Sequence, residues 1–243
     1  MKIKLPFHYQ LKINKQYKPL KSILPIGCDC HPAYMISKLE LRNESLPFDW
    51  LDTKPSLALH YAFINIKDNF TDFLIDLKKN EKGKVFAEKY PEALFYHFDD
   101  LIENVQLQNK IRQRIARFLE LRSSKFCYYL HTLPSSGIAT TENLEFVKES
   151  IVNFQSLLKN NDELIIYLRF DESFEEHKEN AELLQDFADS LSQVRLIKYI
   201  RYKDKFGIWG DESQYKKLMN ELGIKTSFSG LKINIEKLKK ATK

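Results

Sequence analysis

The sequence predicts an α/β fold: a mostly parallel sheet with helices on both faces and a helical insertion. Three observations predict it. After residue 123, apolar strand-like runs alternate with helical patterns in the order β-α-β-α-β, the order of parallel strands joined by crossover helices. A separate apolar run, Ile23 to Gly27, leads straight into a helix start and reads as one more buried strand. Between the two, residues 55–122 carry mainly helical periodicity. With 43% hydrophobic and 13% aromatic residues in 243, the chain can bury a sizeable core. It reads as one domain, 1–243, with a cysteine-bearing, helix-rich half (22–122) and a regular half (123–243).

The elements follow in order. Residues 1–21 are basic and mixed and read as an extended arm. Pro32, Met35, Ile36 and Leu39 fall on one helical face, giving a helix over Pro32–Leu41 with the proline tolerated in its first turn. A turn is expected at Asn80–Gly83, a short extended piece at Leu94–Phe98 and a long helix at Leu101–Arg122. Strands are expected at Lys125–His131, Glu163–Phe170 and Val194–Arg201, and helices at Asn143–Leu158 and Ser213–Leu222. Ser173-Phe-Glu-Glu176 has the form of a capping box, which predicts a helix from there to about Leu191.

Composition excludes several classes. The net charge of +5 is dispersed along the chain and falls short of a nucleic-acid signature, although it is compatible with an anionic substrate. There is no apolar run of about 18 residues, so no membrane span, and the N-terminus lacks the apolar stretch of a signal peptide. Three cysteines make a disulfide framework improbable and suit a cytoplasmic, reducing setting. No glycine-rich phosphate loop is present, and no cofactor is expected. No metal is expected either. Cys28, Cys30 and His31 lack a second ligand pair, and on a strand Cys127 and His131 would stand about 13 Å apart.

The most informative segment is Ile26-Gly-Cys-Asp-Cys-His-Pro-Ala-Tyr34. Cys30 falls at a helix start, where N–H groups and the positive end of the helix dipole favour a thiolate, the reactive form of cysteine. Its other reading is a small packing residue under the helix. If Ile23–Gly27 joins the parallel sheet, Cys30, His131, Asp171 and Tyr202 converge beyond the carboxyl ends of strands, where open α/β sheets bind ligands.

The same segment, with Leu39-Glu-Leu-Arg42 and Ser45-Leu-Pro-Phe-Asp-Trp50, resembles the signature of a bacterial family of unknown function labelled as papain-like cysteine peptidases. The matching cysteine is Cys30 and the matching aspartate Asp49. His97-Phe-Asp99, Arg117-Phe118 and Trp209 also resemble the family. The resemblance implies a cysteine-dependent hydrolase or acyl-transfer enzyme, peptidase-like, with a papain-like α+β fold as the alternative architecture. It makes His97 the first choice of base, with Asp99 or Asp49 to orient it; His131 is the runner-up by its expected place at a strand end. The spacing departs from papain-type enzymes. His97 follows Cys30 by 67 residues and His131 by 101, against roughly 130–150 in those enzymes. The substrate expected is a peptide or a small acyl or glycan compound. The competing reading is a non-peptidase α/β domain that binds an anionic ligand, such as a nucleotide-sugar or phosphorylated glycan precursor, at the helix start.

Overall fold

The computed structural model describes residues 2–6 and 8–237. In chain order the elements are β1 (Lys2–Leu5), β2 (Tyr9–Pro19), β3 (Ser22–Pro25), α1 (His31–Lys38), β4 (Asp52–Thr53), α2 (Ala58–Lys67), β5 (Leu77–Lys79), β6 (Val85–Ala87) and β7 (Ala93–Phe95). There follow α3 (Val105–Ser124), β8 (Cys127–Pro134), α4 (Thr141–Gln155), β9 (Glu163–Asp171), α5 (Lys178–Asp189), β10 (Val194–Arg201), α6 (Lys203–Phe206), α7 (Tyr215–Glu221) and β11 (Thr226–Lys237). The chain divides into two compact units. One runs from Lys21 to Ile224; the other joins the segment up to Leu20 with the segment from Lys225 onward.

The larger unit is built on a four-stranded sheet in the order β10-β9-β8-β3, parallel throughout. Its strands are apolar on both faces because both are covered. Leu164, Ile166, Leu168 and Phe170 of β9 join a core with α2, α3, α4 and α5. Ile165 and Tyr167 join a second core with α1 and α7 on the opposite face. Side-chain alternation along a strand therefore decides which core each residue enters.

The expectation of a mostly parallel sheet with a helical insertion holds only in part. Within residues 55–122 the segment from 77 to 95 is not helical. It forms β5, β6 and β7, which with β4 make a second, antiparallel sheet in the order β4-β7-β6-β5. The Asn80–Gly83 turn closes its first hairpin: Asn80 Oδ1 accepts from the N–H groups of Lys82 (3.0 Å) and Lys84 (2.9 Å). Residues 1–21 likewise hold two strands in place of an extended arm. The capping-box segment does not open a helix; α5 begins after His177, which has a left-handed backbone (φ 55°). Among the described residues no helix is long and apolar enough to cross a membrane.

Candidate functional site

The site begins where β3 ends. Ile26 N–H donates to the Leu130 carbonyl (2.9 Å), the last link of the parallel ladder. Gly27 follows at a point where a Cβ would lie 2.7 Å from Pro32 Cγ and 3.0 Å from Thr132 Cγ2, so the chain passes too close to α1 and β8 for any side chain. The Cys28 carbonyl then accepts from Thr53 N–H (2.7 Å), which ties β4 to the strand end. Cys28 is buried, Asp29 pairs with Arg169 (2.7 Å), and Cys30 is the N-cap residue of α1, partly exposed.

Cys30 opens onto a cleft of about 300 Å³. The strand-end loop and α1 contribute Asp29, Cys30 and His31. The segment after Asp49 contributes Trp50, Leu51 and Asp52, and the end of β7 contributes Tyr96 and His97. Arg201, Ile208 and Trp209 complete the lining. Pairing of Asp52 with Leu94 in the β4–β7 ladder brings His97 to the same wall as Asp52. The His97 ring stands edge-on to Trp50, with centroids 5.7 Å apart and planes at 87°.

The electrostatics correct one expectation. The Cys30 thiol is pushed up to about 11, first by burial, then by the Asp29 carboxylate, with Asp52 adding to it. Desolvation and two carboxylates outweigh the Cys30 backbone hydrogen bond and the Arg169 charge, which act the other way, so the resting group at neutral pH is the thiol and not the thiolate. Burial also raises Asp52, and Asp29 adds to that, while the His97 charge pulls Asp52 the other way. Burial disfavours the Asp29 carboxylate, yet the Arg169 guanidinium holds it below the usual range.

The other predicted residues are placed as follows. His131 lies inside β8, buried, in step with Tyr129 and Leu133, which face the core on the far side of the sheet from α1. Its Nδ1–H donates to the Ile26 carbonyl (3.0 Å), its Nε2 has no partner, and burial lowers it to about 4. Asp99 is exposed and pairs with Lys84 (2.9 Å), outside the cleft lining. Asp49 is buried. It accepts from Leu46 N–H (2.7 Å) and from Arg42, whose guanidinium lies 5.6 Å from the Trp50 ring. Arg117 donates to the Ser45 carbonyl (3.0 Å), and Phe118 packs edge-on against Phe48. The Ser45–Trp50 motif is thus a locked turn that sets Trp50 and Asp52 in the cleft wall. Asp171 holds Arg201 through two bonds of 2.7 Å, and Tyr202 is exposed.

Other residues complete the site: His31 and Trp209, which the sequence marks without assigning them this contact, and Arg169, which it does not mark. His31 Nε2 can only donate to the Trp209 carbonyl (3.2 Å), so its Nδ1 accepts from Tyr167 O–H (2.8 Å). Burial, with Arg169 adding to it, lowers His31 to about 4 and keeps it neutral. Trp209 stacks on Tyr34 at 3.8 Å. The visible hint for Arg169 was a charge inside the apolar run Leu164–Phe170; a buried charge requires a partner.

With this geometry in hand, comparison with known proteins gives two matches. Residues 21–85 match a family described as "Putative papain-like cysteine peptidase". That span includes Cys30, Asp49 and Asp52 and stops short of His97. A curated relative, the "Uncharacterized protein R408" of Acanthamoeba polyphaga mimivirus, is 26% identical over 164 residues, covering 57% of this chain and 72% of that protein. No solved structure matches the chain.

Proposed function

We propose that the cleft is the acyl-transfer site of a cysteine-dependent hydrolase, in keeping with the family that residues 21–85 resemble. The observation that carries this reading is that Cys30 and His97, on segments 67 residues apart, line one cleft with Asp52 within electrostatic reach of His97. Because the thiol rests protonated, His97 removes its proton as the S–C bond to a substrate carbonyl forms. The leaving group then departs with that proton, giving a thioester that water or an acceptor cleaves. Asp52 stabilises the imidazolium in between; the carboxylate for His97 is Asp52 rather than Asp99 or Asp49. Of the helix-start donors, His31 N–H is engaged by Asp29 Oδ1 (3.0 Å) and Pro32 has none; of the remaining Cys30 and Ala33 N–H groups, the Cys30 N–H lies beside the sulfur and is assigned as the oxyanion donor.

The same engagement weakens the reading of the helix start as an anion site. The cleft presents Asp52, while Asp29 is paired with Arg169 and Arg201 with Asp171. These charges favour a neutral or cationic peptide or acyl substrate. The test is trapping of an acyl-enzyme from a panel of peptide and simple thioesters, read by intact mass after acid quench. The expected adduct maps to Cys30, is abolished by Cys30→Ala, and forms about 100-fold or more slowly in His97→Ala. Turnover that survives Cys30→Ala would overturn the reading.

A further inference from the structure

The smaller unit is a three-stranded antiparallel sheet, in the order β1-β2-β11, whose two faces differ in kind. Residues directly opposite in an antiparallel ladder share a face. On β11, Leu231, Ile233 and Ile235 lie opposite Lys15, Ile13 and Leu11 of β2, and Ile3 of β1 lies opposite Leu11. Strict alternation would put Phe228 on the other side. A bulge between Phe228 and Gly230 restores it to the apolar face, opposite Tyr17, against which its ring stands edge-on at 6.3 Å. Gly230 makes this possible with φ at +149°, where other residues are strained. The opposite face carries lysine, asparagine and glutamine side chains, among them Lys4, Gln10, Asn14 and Lys18.

The apolar face is in water. Phe228 and Leu231 are 58% exposed, Ile233 61% and Ile235 65%, and Ile3, Tyr9 and Tyr17 are exposed as well. Seven large side chains at roughly half exposure leave on the order of 700 Å² uncovered, if each offers about 150–250 Å² in full. That exceeds the ~300–600 Å² of the largest patch on an ordinary monomer and approaches the ~800 Å² that each partner contributes to a standard interface. A sheet with one apolar face buries that face against another element in a stable fold.

We propose that a second copy of this chain covers it, the two sheets packing face to face about a two-fold axis as a six-stranded sandwich. The patch area matches what such a dimer buries. Apart from Lys15, which shares the apolar face opposite Leu231, the distribution of charge matches too, since a sandwich turns polar faces outward on both sides and apolar faces inward. A lipid surface fits less well, because the lysines of the polar face would point away from its headgroups.

The test is sedimentation velocity of the full chain from 1 to 100 µM, with Ile233→Lys, Ile235→Lys and, as a polar-face control, Lys18→Glu. All three positions are surface positions, and circular dichroism confirms folding. The expected result is a species of twice 28.8 kDa for the parent and for Lys18→Glu. Each isoleucine variant then shifts the dissociation constant upward by at least 100-fold. A monomer throughout the range overturns the proposal, whether or not the parent co-sediments with anionic vesicles. A dimer indifferent to both isoleucine variants overturns it too, and points to pairing along the β11 edge.

Discussion

At the scale of single residues, burial governs the titrations. Cys30 is a half-buried thiol beside two carboxylates, so its alkylation by iodoacetamide should still be accelerating at pH 10, with a midpoint near 11. Asp52→Asn removes one negative charge and should lower that midpoint and raise the rate at pH 8, read by peptide mass spectrometry that resolves Cys28, Cys30 and Cys127. His131 and His31 behave as buried neutral bases, both brought from 6.5 to about 4 chiefly by burial. Between those values the unfolded chain binds the proton and the folded chain does not. Stability is therefore full above pH 6.5 and falls as pH drops toward 4, by about 3 kcal/mol for each histidine. His131→Gln preserves a donor for the Ile26 carbonyl without a titrating ring. Urea melts between pH 4 and 7 should show its stability profile flatter than the parent's by about one proton.

At the scale of elements, two joints hold the site together. Gly27→Ala should cost about 1–3 kcal/mol, because the new methyl meets the rigid Pro32 ring and the β-branched Thr132. Asp49→Ala should cost about 3 kcal/mol, since it strips the turn of its buried acceptor and leaves the Arg42 guanidinium without its counter-charge. Denaturant midpoints check both. These joints also show what could be read beforehand. Val194–Arg201 was expected with its observed limits, and β3, β8, β9, α1 and α4 to within three residues at each end, because a short apolar run before a helix start and apolar patterning over eight or so positions are both strong signals. The strands β5 and β6 are three residues each, too short for a period of two to emerge among the lysines around them, whereas the extended piece expected at Leu94–Phe98 overlaps β7. β2 and β11 do alternate, but only as partners of each other over some 220 positions, a pairing that local pattern cannot reveal. Cys30 and His97 were named from the residues and the family resemblance, and they do share a cleft. Asp52 was not named, because its place beside His97 depends on β4 pairing with β7.

At the scale of the whole molecule, the parallel sheet divides labour between its faces. The face with α2, α3, α4 and α5 is apolar packing apart from the buried His131. The face with α1 and α7 starts apolar at Tyr128 and Ile165 and turns polar toward the strand ends, where Tyr167, Arg169, Tyr199 and Arg201 stand. The Asp29–Arg169 pair, its guanidinium buried and its carboxylate at the cleft wall, is the hinge between packing and chemistry. Asp29→Asn should destabilise the fold by about 3–5 kcal/mol, since a guanidinium that is 6% exposed loses its counter-charge. Raised salt should not rescue the loss, because screening acts poorly on a desolvated pair. Thermal melts of the variant at 0.05 and 1 M salt check both statements.

The two tryptophans of the chain, Trp50 and Trp209, both line the cleft. Excitation at 295 nm therefore illuminates that cleft and no other part of the molecule. One indole lies beside the His97 ring, whose protonation quenches; the other is stacked on a tyrosine and shielded on that side. The protein thus carries its own optical gauge of occupancy, so compounds can be screened by emission shift without a label, a substrate or knowledge of the reaction.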